Sequence, residues 1–156
     1  CNLIGIMSNL KLNSIFKTVC IASDHAGFNL KEDIKNHLVN KKVSIFDIGP
    51  YTNKSVDYPD YAKKLGNRIK LKKSDVGILV CGSGTGMAIS ANKIKTIRAA
   101  VCYNLNSTRL SRQHNNANII ALGARLTKKK LSLKLVEAFL KTKFEGGRHL
   151  RRVKKI

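Results

Sequence analysis

Short apolar runs alternate along this chain with longer segments in which apolar residues recur every three or four positions. The run at residues 76–81 is rich in β-branched residues and too short for a buried helix, so it predicts a central strand of a parallel sheet. By contrast, Leu30, Ile34 and Leu38 share one face of a helix. Runs of the first kind predict five strands, at residues 17–23, 43–49, 76–81, 97–102 and 117–123.

Helical segments between these runs complete a repeating β-α order. We expect Asn29 with Glu32 to cap the first helix. Pro59 suits the first turn of the second helix, a third is expected at residues 87–93, and Thr127 is expected to cap the last. The alternation predicts a single-domain, Rossmann-like α/β fold, a three-layer sandwich with a five-stranded parallel sheet and helices on both faces.

A cysteine and a glycine loop follow the central predicted strand. Cys81 ends the strand, three alternate glycines follow at residues 82–86, and a helix is expected next. Backbone N–H groups and a helix start at one point bind anions and would favour the thiolate form of a cysteine. A cysteine in this position is nevertheless more often a small buried apolar residue. The loop matches neither the dinucleotide-binding fingerprint nor the P-loop, because the required glycine spacing and Gly-Lys-Ser/Thr are missing.

Polar residues also follow the other predicted strands. Asp24 and His25 come after the first, the donor-rich segment 104–118 after the fourth, and Arg125 after the fifth. Ligands bind at the carboxyl ends of the strands in open α/β sheets, so we expect these side chains along one edge of the sheet. Taken singly, each also suits an ordinary turn or surface loop.

The chain is strongly basic, with 30 lysines and arginines against 9 aspartates and glutamates and a formal net charge of +21. One interpretation is a nucleic-acid or membrane-surface partner. We favour solvated helix faces, because the lysines fall in the polar phases of several helices and no basic run alternates with stacking aromatics. A nucleic-acid-binding protein stays the distant alternative, and a phosphorylated substrate would be attracted by this charge.

The cysteines indicate a reducing compartment. None of the four lies in a C-x-x-C pair, so a zinc site is not supported, and Cys20, Cys81 and Cys102 fall in or at the end of predicted strands. Residues 1–16 contain no long apolar run, so a secretory signal or a membrane span is not supported. We expect residues 1–16 to form a disordered leader and residues 17–156 to form the domain.

Six motifs together resemble one known family. Their order and spacing are those of the type B ribose-5-phosphate isomerases, a group that includes the galactose-6-phosphate isomerase subunits. The resemblance covers about residues 17–156. The motifs are Ser-Asp-His-Ala-Gly at 23–27, Asp-Tyr-Pro at 57–59, Cys-Gly-Ser-Gly-Thr-Gly at 81–86, Ala-Asn-Lys at 91–93, Ser-Arg-Gln-His-Asn-Asn at 111–116, and Gly-Gly-Arg-His at 146–149 with Arg152.

The resemblance implies a role for each matched residue. Cys81 would abstract the substrate proton, and His114 would act as acid in ring opening. The family uses no metal or organic cofactor and completes its site with a second subunit, which implies a homodimer or tetramer without nucleic-acid or membrane partners. Residues implied in substrate binding are Asp24, His25, Tyr58, Gly82, Ser83, Gly84, Thr85, Gly86, Asn115, Arg125, Arg148 and Arg152.

The implied activity is the interconversion of ribose 5-phosphate and ribulose 5-phosphate in the cytoplasm, a step of the pentose phosphate pathway. It needs a base at carbon, donors for an enediolate oxygen and an acid for ring opening. Galactose 6-phosphate and allose 6-phosphate stay open as alternative substrates. A non-catalytic subunit is disfavoured, because Cys81, His114 and both tail arginines are present.

Overall fold

The computed structural model describes residues 10–156, and the five predicted parallel strands form one sheet in the order β2-β1-β3-β5-β4. β3 has its predicted bounds, whereas the other four strands are shorter than predicted. The predicted starts of the second and fifth strands close neighbouring helices instead: Val43 N–H donates to Leu38 at 3.0 Å, and Ala117 N–H donates to Ser111 at 3.0 Å. The strands are β1 Val19–Ser23, β2 Ile45–Gly49, β3 Val76–Cys81, β4 Ala99–Val101 and β5 Ile119–Gly123.

Helices cover both faces of the sheet, as predicted. Because successive strand residues point to opposite faces, each inner strand contributes to two cores. α1 and α5 cover Ile21 and Ile78 on the first face, and α2 and α3 cover Cys20 and Leu79 on the second. α4 packs beside α5. The helices are α1 Phe28–Asn40, α2 Tyr58–Lys70, α3 Thr85–Ala91, α4 Leu105–Gln113, α5 Lys129–Lys141 and α6 Gly147–Val153.

Two predicted helix caps are wrong. Gly27 is the N-cap of α1, with no side-chain cap bond, and its N–H donates to the Asp24 carboxylate at 2.9 Å. Lys128, not Thr127, is the N-cap of α5. The Thr127 N–H closes a turn onto Gly123 at 2.9 Å, so this residue completes the end of β5 rather than starting the helix.

The described part of the predicted leader packs on the domain. Residues 1–9 lie outside the described residues. Leu12 is buried in the first core, and its N–H donates to the carbonyl of Lys41 at 2.9 Å. The Ile15 N–H donates to Leu140 at 2.9 Å, so this segment joins the ends of α1 and α5.

Asn92, from the Ala-Asn-Lys motif, completes the hydrogen bonding of the outer strand β4. Its Oδ1 accepts from the Ala99 N–H at 2.7 Å, and its Nδ2 donates to the Ala99 carbonyl at 3.0 Å. The side chain thus replaces a neighbouring strand at this edge.

The strand order creates a crevice beside β1. The chain passes from β1 outward to β2 and then returns to the other side of β1 as β3. In an open α/β sheet, ligands bind where this reversal occurs, outside the carboxyl ends of the two strands. Asp24 and Gly82 are the first residues beyond those ends. Among the helices of residues 10–156, none has the length and apolarity needed to cross a bilayer.

Candidate active site

Cys81 ends β3 beside the start of α3. Its side chain is buried, and its Sγ accepts a hydrogen bond from the Gly84 N–H at 3.0 Å. Gly84 is the N-cap of α3 with φ +82°, a conformation that glycine adopts without strain, and it turns the N–H back onto the sulfur. The helix therefore begins at Thr85, two residues before its predicted start. A backbone donor at this distance stabilises negative charge on sulfur.

The other two described cysteines have different surroundings. Burial raises the pKa of the Cys20 thiol to about 11, and burial also raises the pKa of Cys102. A raised pKa keeps a thiol neutral and poorly nucleophilic near neutral pH. Of the three, only Cys81 lies at the crevice between β1 and β3.

Three side chains enclose the loop at residues 82–86. The Tyr58 ring lies against Gly86, where a Cβ would be 2.8 Å from the ring, and the Arg125 guanidinium lies over Gly82. Tyr103 donates its hydroxyl hydrogen to the Ser83 carbonyl at 3.1 Å. Tyr103 was missed by the sequence reasoning, although its position directly after the fourth predicted strand was a usable signal.

Asp24 and His25 border the same crevice. Asp24 is buried; its N–H donates to the Val80 carbonyl at 3.1 Å, which joins the ends of β1 and β3. Its Oδ1 holds the start of α1 through Gly27. His25 is exposed, and its Nδ1 lies 3.3 Å from both the N and the O of Val56, which leaves Nε2 available to a ligand.

His114 and the tail form a second cluster. His114 is the C-cap of α4, and its ring stacks on His149 with centroids 4.2 Å apart and planes 12° from parallel. His149 belongs to α6, which also carries Arg148 and Arg152 one helical turn apart. Asn115 is exposed beside His114.

The two clusters lie at opposite ends of the parallel strands. We had expected all of these side chains at the carboxyl ends. α4 runs back from the carboxyl end of β4, so His114 lies near the amino end of β5. Cys81 pairs with Gly123 at the carboxyl end of β5. The four residue steps of β5 at about 3.3 Å each place roughly 13 Å between these ends. One chain therefore brings together Asp24, His25, Tyr58, Cys81, Gly82, Ser83, Gly84, Thr85, Gly86 and Arg125 (the Cys81 half), and separately His114, Asn115, Arg148 and Arg152 (the His114 half).

The His114 half contains one candidate set of metal ligands. Ligand atoms of His114, Glu145 and His149 lie within 4.8 Å of one another. The nearly parallel rings direct their nitrogen lone pairs side by side instead of toward one point. Desolvation is the first cause of the lowered pKa of His149. The nearby His114, Arg148 and Arg152 lower this pKa further, against an opposite effect of Glu145. Three of the four neighbouring charged groups are thus basic. Such surroundings favour an anion over a cation, and arginine forks suit phosphate oxygens.

Comparison with known proteins gives a consistent family match. The sequence profile described as Ribose/Galactose Isomerase matches residues 19–156. The ribose-5-phosphate isomerase B of Escherichia coli is 42% identical over 140 residues, which cover 90% of this chain and 94% of that protein.

Two solved structures match most of the chain in both fold and sequence. The ribose 5-phosphate isomerase from Thermotoga maritima has a TM-score of 0.87 and 51% identity, covering 88% of this chain and 95% of the other. The ribose-5-phosphate isomerase B from Mycoplasma genitalium, solved with bound ribulose-5-phosphate, has a TM-score of 0.85 and 41% identity. The match covers 88% of this chain and 92% of the other.

Proposed function

Because the chain belongs to the ribose/galactose isomerase family, we propose that it interconverts ribose 5-phosphate and ribulose 5-phosphate. The observation that carries this proposal is the Cys81 thiol, hydrogen-bonded by the Gly84 N–H in the crevice between β1 and β3. The E. coli relative bears the name of this activity, and the M. genitalium structure holds the ketose product.

In the proposed mechanism, Cys81 acts as the base. Its thiolate removes the proton from C2 of the open-chain aldose, and the electron pair forms an enediolate whose oxygen carries the negative charge. The thiol then returns the proton to C1, while the hydroxyl proton moves from O2 to O1, which gives the ketose. Backbone N–H groups of residues 82–86 are suited to stabilise the enediolate, and Asp24, His25 and Tyr58 border the space that the sugar would occupy.

We propose that His114 opens the sugar ring by donating a proton to the ring oxygen, with Asn115 beside it. The bond between C1 and the ring oxygen breaks, and the anomeric hydroxyl releases its proton to water to form the aldehyde. Arg148 and Arg152 then hold the phosphate, since two arginines one turn apart present charged donors to one anion. Arg125 contributes from the loop side. A phosphate anchor immobilises the reacting carbons next to the base.

This mechanism requires two chains. His114 and Cys81 of one chain lie at opposite ends of the strands, so we propose a homodimer, or a tetramer built from two such dimers. In either assembly each site combines the Cys81 half of one subunit with the His114 half of the other. Exposed apolar side chains occur near both halves, and an interface would cover them. They are Ile89 at 58% exposure, Tyr103 at 41%, Leu126 at 64%, Leu150 at 41% and Ile156 at 77%.

We also propose a cytoplasmic location, where free thiols persist. Cys20, Cys81 and Cys102 are unpaired in the described part of the chain, and reducing compartments keep cysteines in this form.

A substrate panel tests the proposed activity. Purified protein is assayed with ribose 5-phosphate, galactose 6-phosphate and allose 6-phosphate, beside Cys81→Ala and the matched control Cys102→Ala. We expect the highest kcat/KM on ribose 5-phosphate, near-complete loss in Cys81→Ala and a small change in Cys102→Ala. Preference for a hexose phosphate would move the proposal to that substrate. Full activity of Cys81→Ala would exclude Cys81 as the base.

A further inference from the structure

Arg112 is a buried arginine in the last turn of α4, two residues before His114. It is 3% exposed, and no carboxylate within residues 10–156 lies at ion-pairing distance from it. Burial lowers the pKa of its guanidinium to about 10. Burying a cation without a counter-ion is unfavourable, so its retention requires other interactions and points to a specific role.

The guanidinium is held by oxygen atoms from two segments. Nη1 donates to the Ala117 carbonyl at 2.6 Å and to Asn116 Oδ1 at 3.0 Å. Nε donates to the Thr142 carbonyl at 3.1 Å, at the end of α5. Two aromatic rings flank the guanidinium, with Phe16 at 4.8 Å and Phe139 at 5.6 Å from its central carbon. A lysine has no planar fork that could make all these bonds.

These bonds fix the turn that carries His114 and Asn115. The turn lies between Arg112 and Ala117, and it includes Asn116 with φ +48°, a left-handed backbone conformation that asparagine adopts more readily than most residues. Among the described residues, Arg112 holds the side chain of Asn116, and Arg98 Nε holds its carbonyl oxygen at 3.0 Å.

The hydrogen bond from Arg112 to the Thr142 carbonyl also fixes the position of the tail, the segment after Thr142, relative to α4. After Thr142 the chain continues to Glu145, whose N–H donates to the Gln113 carbonyl at 3.1 Å. α6 follows directly and places His149 against His114. A shift at Thr142 would therefore move both the stacked ring and the two tail arginines.

We propose that Arg112 is a positioning residue of the His114 half. It fixes the orientation of the His114 ring and the placement of α6 by joining the end of α4 to the end of α5. The effect of Arg112 on catalysis rests on the proposed isomerase function. Its effect on the positions of His114 and α6 does not.

The test compares Arg112→Lys with Arg68→Lys. Arg68 is a matched control on the other face of the sheet, because it also stacks on a phenylalanine, Phe46, at 3.6 Å and donates through Nε to Ser74 at 2.8 Å. Both variants are assayed well below their melting temperatures, with rates normalised to the folded fraction from circular dichroism.

The kinetic readout uses two substrates, ribose 5-phosphate and a four-carbon sugar phosphate that cannot form a ring. A misplaced ring-opening group slows only the cyclic substrate, and a shift of about 1 Å can cost up to roughly 100-fold. We expect Arg112→Lys to lower kcat on ribose 5-phosphate by roughly 10- to 100-fold, and by less on the four-carbon substrate. In Arg68→Lys, the ratio of kcat on ribose 5-phosphate to kcat on the four-carbon substrate should equal the wild-type ratio. The proposal would be overturned if this ratio were unchanged in Arg112→Lys, or if kcat fell in parallel in both variants.

A second readout does not depend on turnover. The imidazole resonances of His114 and His149 in NMR spectra should move in Arg112→Lys and stay in place in Arg68→Lys. Unmoved resonances in Arg112→Lys would overturn the positioning role. If the wild-type protein does not isomerise ribose 5-phosphate, the proposed function fails, while the NMR comparison still decides whether Arg112 positions His114.

Discussion

At the scale of single residues, the three described thiols differ in what surrounds their sulfur atoms. Cys81 receives the Gly84 N–H at the edge of the crevice. Cys20 lies wholly within the second core and donates to the Val76 carbonyl at 3.5 Å. Sulfur chemistry follows the fraction of thiolate and its accessibility, so the same side chain is a candidate base at one position and a core residue at the other.

Alkylation measures this difference directly. With iodoacetamide at neutral pH, Cys81 should react faster than Cys20, whose pKa of about 11 keeps it protonated. Ribitol 5-phosphate, an analogue that cannot isomerise, should protect Cys81. Rates are measured per cysteine by peptide mass spectrometry. Faster labelling of Cys20, or no protection of Cys81 by the analogue, would contradict the assignment.

At the scale of secondary-structure elements, a buried ion network joins α1 to β2. Lys31 is fully buried, and its Nζ donates to Asp47 at 2.8 and 2.9 Å and to Glu32 at 2.9 Å. Asp47 Oδ1 also accepts from the Gly49 N–H at 2.9 Å. Removing Asp47 would leave the buried Lys31 ammonium with Glu32 as its remaining carboxylate partner, and that carboxylate is the more exposed of the two. Much of the compensation of the buried charge would then be lost.

The network makes stability depend on acidity. Burial alone would raise the pKa of Asp47, but hydrogen bonds from Lys31 and Lys35 outweigh it, so the pKa is lowered from its ordinary 3.8. A lowered folded-state pKa means that the stabilisation is complete above the unfolded-state value. It is lost as pH falls below 3.8 through the folded-state pKa.

We expect Asp47→Asn to lower the free energy of unfolding by about 3–5 kcal/mol at neutral pH and to flatten its decline in acid. Asp33→Asn is the control, because Asp33 pairs with exposed Lys129 at 3.4 Å and should cost less than about 1 kcal/mol. Urea denaturation from pH 2 to 7 measures the free energy of unfolding of both variants and how it declines in acid. Equal losses in the two variants would show that the buried network is unimportant.

The short helix α6 gives a prediction about phosphate binding. Truncating Arg148 or Arg152 to alanine removes a charge-assisted hydrogen bond of about 1.5–3 kcal/mol, roughly a 10- to 150-fold loss of kcat/KM. The loss should appear mainly in KM. Steady-state kinetics of each variant at low and high salt provide the measurement.

The control for α6 is the double variant Lys129→Ala and Lys130→Ala on α5. Exposed charges are screened at physiological salt, so kcat/KM should change little. If the lysine pair proved as costly as the tail arginines, the anion site would be diffuse and the role proposed for α6 would be wrong.

At the scale of the whole molecule, the layers were predictable from the residue pattern, whereas the division of the site between two subunits was implied by the family resemblance alone. Apolar runs such as residues 76–81 and the periodic face of Leu30, Ile34 and Leu38 determine strands, helices and their order. The residue pattern also placed Asp24 and Cys81 at the same end of the sheet, because Asp24 directly follows β1 and Cys81 is the last residue of β3.

Contacts between distant side chains explain what the sequence did not predict. His114 lies at the end of α4 and not at its start, so it is near the amino ends of the strands, whereas Cys81 is at a carboxyl end. Arg112 and Asn92 have partners that only tertiary packing creates. The caps expected at Asn29 and Thr127 failed because Gly27 and Lys128 occupy the cap positions instead.

The central claim is that each active site joins the Cys81 half of one chain to the His114 half of another, and mixed dimers test it most directly. Cys81→Ala and His114→Asn chains carry different tags and are co-expressed, and the mixed dimer is purified through both tags. Each such dimer contains one site with both residues intact. Cys81→Ala paired with Asp24→Asn is the control, since both changes lie in the same half.

We predict that each parent dimer has little activity on ribose 5-phosphate and that the mixed Cys81→Ala and His114→Asn dimer recovers about half of the wild-type rate. The control pair should stay inactive. A mixed dimer as inactive as its parents, beside an active wild-type protein, would contradict the shared site.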